Sequence, residues 1–185
     1  MKRATICPAV LFCILAFFVQ AAGFELSADM TAREGDQKQT GKLYVKGSKY
    51  RIDMKDGSEY AIIRHDKNKS WVVIPDQKSY IEMPFDPKRR PAIEEGQSSN
   101  GNKRLVGSET VDGHATRKYE VTMTDGGKEG TFYQWITVDL DFPIRTTAVN
   151  GTWSIEYRNI RAGVPDAVFE IPETYEKIAM PSAMK

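Results

Sequence analysis

The chain has little of what anchors most small exported or catalytic proteins. Its two cysteines, Cys7 and Cys13, both lie close to the N-terminus, so nothing downstream can form a disulfide or a thiolate metal site. The two histidines, His65 and His114, each sit beside a turn and an acid (Asp66, Asp112), and a metal centre needs three or four converging ligands. No serine elbow, glycine-rich phosphate loop or Ser/His/Asp grouping can be read. The Asp139 and Asp141 pair beside Phe142-Pro143 suits a turn better than acid–base chemistry. With a net charge of +1 there is no electrostatic case for nucleic acid or an anionic membrane. These absences lead to the expectation of a protein that is not an enzyme and carries no cofactor or metal.

What the chain does have begins with Met1-Lys2-Arg3, an uncharged apolar block from Ala9 to Val19, and Ala21-Ala22-Gly23. A basic start, a short apolar stretch and a small-residue exit predict a signal peptide over residues 1–23. The expectation is a periplasmic or secreted protein with no lipobox cysteine, not integral to the membrane once processed. Losing Lys2 and Arg3 moves the balance from +1 to −1. About 160 residues remain, enough for one core. Residues 24–178 read as a single domain and 179–185 as a tail.

Phe24–Arg33 alternates strictly between apolar and polar residues, the pattern of a half-buried strand, and Glu34–Gln39 reads as a polar loop. Gly41–Met83 then reads as five short strands: Gly41–Lys46, Lys49–Lys55, Glu59–His65, Ser70–Pro75 and Lys78–Met83. The breaks are Gly47-Ser48, Asp56-Gly57, Asp66–Lys69 and Asp76-Gln77, turn-forming types at hairpin lengths. Closing each turn fixes the register. Val45 falls opposite Tyr50, Leu43 opposite Ile52, Ile52 opposite Ala61 and Tyr50 opposite Ile63. A four-residue Asp66–Lys69 loop sets Ile63 opposite Val72 and Ala61 opposite Ile74, and the last hairpin sets Val72 opposite Ile81. One face then carries Leu43, Val45, Tyr50, Ile52, Met54, Ala61, Ile63, Val72, Ile74, Ile81 and Met83. The other, polar with interleaved aromatics, carries Tyr44, Arg51, Asp53, Tyr60, Ile62, Arg64, Trp71, Val73, Tyr80 and Glu82.

Pro84, Pro87 and Pro91 exclude a long helix, and Gly96–Asn102 is rich in Gly, Ser and Asn, so 84–103 reads as a flexible segment or a flap. Strand patterns resume at Arg104–Val111, Ala115–Thr124, Gly130–Asp139, Pro143–Val149 and Thr152–Ile160. A turn near the end packs Phe169 and Ile171 on the sheet, and a polar tail follows. The expected fold is mainly β: about eleven antiparallel strands in a single meander, curved into a half-barrel with very little helix. An apolar face must be covered by helices, a second sheet or a guest. Helices are nearly absent, so the sheet must curl into a groove that is packed shut or open to an apolar ligand. The candidate ligand-binding residues are Leu43, Val45, Tyr50, Ile52, Met54, Ile63, Val72, Ile74, Ile81 and Met83. Tyr44, Tyr60, Trp71 and Tyr80 could stack on a sugar or a partner, or pair across strands.

Gly41-Lys-Leu-Tyr-Val-Lys46 with Tyr50-Arg-Ile-Asp-Met54 resembles the second and third strands of the periplasmic carriers of outer-membrane lipoprotein sorting. Glu59-Tyr-Ala-Ile-Ile63, Lys69-Ser-Trp-Val-Val-Ile-Pro-Asp76 and Phe169-Glu-Ile-Pro172 fit the same layout. Glu109-Thr-Val-Asp-Gly-His114, Lys118-Tyr-Glu-Val121 and Trp135–Arg145 resemble an uncharacterised family of small periplasmic proteins related to those carriers. The resemblance implies an open half-barrel whose concave cavity holds acyl chains. Carriers place a basic residue after the Val-Lys of the second strand, where this chain has Gly47, and lid helices where it has the proline-broken segment. Two roles follow: a binding protein for a lipid or acyl chain, or an envelope sensor or scaffold that binds another protein through its sheet.

Overall fold

The computed structural model describes residues 24–85, 102–125 and 128–180. The signal peptide expected over 1–23 lies outside the described residues, as do 86–101 of the expected flexible segment. Twelve strands form one sheet: β1 Glu25–Glu34, β2 Gln37–Lys46, β3 Lys49–Met54, β4 Tyr60–Arg64, β5 Lys69–Ile74, β6 Ser79–Met83, β7 Asn102–Val111, β8 His114–Asp125, β9 Lys128–Thr137, β10 Pro143–Ala148, β11 Trp153–Ala162 and β12 Glu176–Ile178. No α-helix occurs among the described residues, only short 3-10 turns at His65–Lys67, Pro75–Gln77 and Asp166–Phe169. The fold is the expected mainly β, unclosed curved sheet of half-barrel type.

The order across the sheet is β12-β6-β5-β4-β3-β2-β1-β11-β10-β9-β8-β7. A single meander would have set β6 beside β7. Instead two meanders join where β1 pairs with β11, Met30 facing Tyr157 and Ala32 facing Ile155. β2 also starts at Gln37, because Gly35 takes a positive φ of 54° and closes a two-residue turn where a longer loop was expected. β7 begins at Asn102, so the last two residues of the expected flexible segment are already strand.

The β2–β3 and β3–β4 registers are those read from the sequence: Val45 faces Tyr50, Leu43 faces Ile52, Tyr50 faces Ile63 and Ile52 faces Ala61. Between β4 and β5 the register differs by two. Ile63 faces Ser70 and Ala61 faces Val72, because the loop is His65–Asn68. Asn68 is the residue that adopts the left-handed conformation there, at φ 51°, which asparagine tolerates. A shift of two leaves every side chain on its own face. Val72 faces Ile81 as read.

Both faces of the first meander are buried. On one, Leu26, Ala28, Met30, Leu43, Val45, Tyr50, Ile52 and Ile63 gather with Val111, Trp135, Phe142, Ile144, Ile155 and Tyr157 from the second. The other face, read as polar with interleaved aromatics, holds a second core of Tyr60, Ile62, Trp71, Val73, Val164 and Phe169. Residues 164–178 lie over it as a strap, and β12 extends the sheet by pairing parallel with β6, Ile178 facing Ile81.

Candidate binding face and its polar row

The candidate ligand-binding residues share one side of β2–β6, as alternation requires. Leu43, Val45, Tyr50, Ile52, Ile63, Val72 and Ile81 are buried, whereas Met54, Ile74 and Met83 are half-buried. Of these, Leu43, Val45, Tyr50, Ile52 and Ile63 share one core with the second meander. The half-buried ones mark where the face comes nearest to solvent. Phe85 also packs against this core and stacks edge-on with His65, which in turn stacks on Tyr50. Burial lowers the His65 pKa, outweighing the nearby Asp66 carboxylate. His65 is thus an aromatic wall. The other histidine, His114, bonds Asp139 through Nδ1 at 2.8 Å. Asp141 takes a positive φ of 51° and donates its N–H to Thr137 O, a turn role.

At one end this face carries polar groups that the sequence reading passed over. Met54 N donates to Glu59 O, so these two residues face each other across β3 and β4. Tyr60 faces Val73, which makes Glu59 and Ile74 neighbours one step further out, and Ile74 faces Ser79. On the near side Met54 faces Gly41, and Gly41 faces Met30. Gly41 is needed for close approach, since a β-carbon would collide with the Asp53 carbonyl oxygen. A row therefore crosses the sheet from Met30 to Ser79. Gln39 lies two residues from Gly41 on the same side.

Within this row Glu59 is 9% exposed. Burial, with a smaller contribution from Asp56, pushes its carboxyl above the usual range. Gln39 Oε1 and Ser79 Oγ are buried without a hydrogen-bond partner among the described residues. Ser79 also lines an open depression of about 350 Å³ with Gln77, Lys78, Thr174, Glu176 and Ile178. The signal for Glu59 was in the sequence, because alternation puts it on the side of Ala61 and Ile63.

The opposite face is closed by charge as well as packing. Arg64, 4% exposed, donates to both Asp66 oxygens (2.8 and 2.6 Å), to Glu170 and to Phe169 O. Arg51 donates to Asp53 (2.5 Å) and to Val168 O (3.1 Å), and its guanidinium lies 3.7 Å from the Tyr60 ring centroid. Lys46 and Lys49 pair with Asp166 at 3.1 and 2.6 Å. The aromatics read as a stacking surface for a sugar or a partner are thus covered or engaged by the chain's own strap.

These contacts set a pH dependence. Hydrogen bonds from Arg64 hold Asp66 below the usual carboxylate range, and Lys49 and Lys46 do the same for Asp166. Burial would raise Glu170, but Arg64 and Lys67 outweigh it and lower it. A carboxylate with a depressed folded pKa adds stability above its unfolded value near 4, and loses it as pH falls through the folded value. The strap should therefore loosen below about pH 4. Hydrogen exchange at 164–178 should quicken there before exchange in β1–β3, and equal acceleration in both would contradict this.

Residues 24–142 match the family model DUF4412, described as a domain of unknown function. The chain is a DUF4412 protein. No curated protein matches it in sequence. The DUF4412 protein is similar in fold to MucB. In the Pseudomonas aeruginosa MucA/MucB complex the match has 14% identity and a TM-score of 0.59, over 84% of this chain and 58% of that one. For a crystal structure of MucB alone the values are 14% and 0.57, over 93% and 65%. The chain thus spans less than two thirds of the length of these relatives. A LolA superfamily protein from Nitrosomonas europaea matches at 12% identity and a TM-score of 0.36, over 84% and 91%. No helix among the described residues is long and apolar enough to cross a membrane.

Proposed function

We propose that this DUF4412 protein is a non-enzymatic binding protein of the cell envelope that holds a lipid or acyl chain against the apolar face. The observation that carries this reading is an unclosed sheet with one continuous apolar side drawn from both meanders, half-buried at Met54, Ile74 and Met83. A face of this kind gains roughly 25 cal/mol for each Å² taken from water, and an alkyl guest supplies such cover. Each buried methylene is worth about 0.8 kcal/mol, or roughly fourfold in affinity. Titration with 1-alkanols from hexanol to dodecanol, followed by tryptophan fluorescence, should show affinity climbing with length to a plateau. Absent or length-independent binding would end this reading.

A second reading, protein binding, is favoured by the free edge of β7. Among the described residues β7 pairs only with β8, and Leu105 is 58% exposed. Such an edge can accept another strand. A bulge between Leu105 and Gly107, with Lys103 and Arg104 before it, guards part of that edge. MucB, with a similar fold, is found in complex with MucA. If no alkanol binds, this reading leads.

A further inference from the structure

We infer that the strand accepted by the free edge of β7 is β7 of a second copy, so that two molecules join across a two-fold axis into one continuous sheet. This rests on the second reading above, that the edge takes a strand, and it names that strand. β7 is ten residues long and all but Val111 are exposed, with Leu105 at 58% and Val106 at 38%. Among the described residues it pairs with β8 alone. A long edge with exposed apolar residues at its middle is a template for another strand. The opposite edge of the sheet, β12, has only three residues. A head-to-tail contact between copies would leave most of β7 unpaired and could run on from copy to copy.

The bulge fixes the register. Arg104 faces Glu120 and Glu109 faces Thr116, four residues apart on β8, so both side chains lie on one side of the sheet. In a regular strand, residues 104 and 109 would point to opposite sides. Val106 is the extra residue that brings them to the same one. Antiparallel pairing about Gly107 then sets Arg104 of each copy across from Glu109 of the other, which makes two opposite-charge pairs. On the other side Leu105 comes opposite Ser108, and the two Leu105 side chains meet diagonally across the axis. Parallel pairing in register would set Arg104 against Arg104 and Glu109 against Glu109, which is destabilising. Both charged groups have capacity for the new contact. Arg104 donates from Nη2 to Glu120 at 2.9 Å, with the rest of its five-donor fork on a side chain that is 71% exposed. Glu109 accepts from Trp135 Nε1 through Oε1, and a carboxylate accepts at both oxygens. The bulge and basic pair that turn most strands away thus suit this one.

The experiment is analytical ultracentrifugation of the wild-type protein, Arg104→Glu, Glu109→Arg and an equal mixture of the two variants, with hydrogen exchange read at Asn102–Val111. One strand pair is a small contact, so wild type should pass from dimer to monomer on dilution from about 500 to about 5 µM. Each variant alone turns both ionic pairs into like-charge pairs and should weaken self-association at least about tenfold. The mixture should recover it, because one copy then carries two acids and the other two bases. Such a rescue cannot come from a change in folding. In wild type, exchange at 102–111 should slow at the high concentration, a readout that needs no variant and stands even if Glu109→Arg fails to fold. A wild type that stays monomeric, a dimer that both variants leave unchanged, or a mixture of two folded variants that stays monomeric overturns the inference. Fast exchange at 102–111 in a persistent monomer leaves the edge open to a strand of a different protein. Exchange there as slow in the monomer as in β1–β3 strikes instead at the open edge, and so at the second reading beneath the inference.

Discussion

Ile62→Asp should be as damaging as Ile63→Asp, each costing on the order of 4 kcal/mol or more. The two residues point to opposite sides of β4, and in a sheet with one solvated face only one of them could matter. Here Ile62 is 0% exposed in the core beneath the strap, and Ile63 is buried in the core shared with the second meander. A carboxylate at either position meets apolar neighbours and must be buried charged or neutralised at a cost. Urea denaturation of both variants decides it. A mild loss at Ile62 beside a severe one at Ile63 would mean that the strap does not cover this face in solution. The same geometry changes what is expected of Arg51→Ala. On a solvated face its cost would stay at or below about 1 kcal/mol. Bonded to Asp53 and Val168 O and stacked on Tyr60, it should cost about 2 kcal/mol.

Phe169→Ala should remove about 3–5 kcal/mol, the range for emptying a buried aromatic site. Phe169 is 0% exposed and is the one fully buried side chain of the Asp166–Phe169 turn. Its loss leaves a cavity against Tyr60, Ile62, Trp71 and Val73, and weakens the turn that presents Glu170 to Arg64. Denaturant unfolding gives the magnitude, and hydrogen exchange gives the place. Protection should fall most in β4–β6 and in 164–178. An even loss across all twelve strands would show that the strap is an integral layer of one cooperative unit.

The parts of this molecule that were legible in the sequence are those governed by near neighbours. Two-residue turns pin a register, so Leu43–Ile52 and Tyr50–Ile63 could be read by hand. The His65–Asn68 loop could not, because several four-residue windows are sterically acceptable and only the left-handed residue separates them. Pairing of β1 with β11 leaves no trace in alternation, since either edge of β1 offers the same pattern to any strand. β12 is three exposed residues, too short for periodicity. The second core was hidden by mixed composition: Ile62 and Val73 are apolar, but Arg51, Asp53 and Arg64 between them suggested water. Those charges are satisfied by one another and by the strap. Glu59 and Ser79 were missed for the opposite reason, as polar residues at strand ends of a face judged by its apolar middle.

The join between β1 and β11 also bears on when the protein can become folded. The first strand made waits for a neighbour more than a hundred residues later, and β6 waits for β12, later still. Long-range pairings of this kind are slow to form, because a large loop must close before any contact repays it. During synthesis from the N-terminus, β1 and β6 would therefore each lack one neighbour until β11 and β12 had been made. Moving the native termini to a new break in the β6–β7 connection would place β11 shortly before β1 along the chain, and such a permuted protein should refold faster in the test tube.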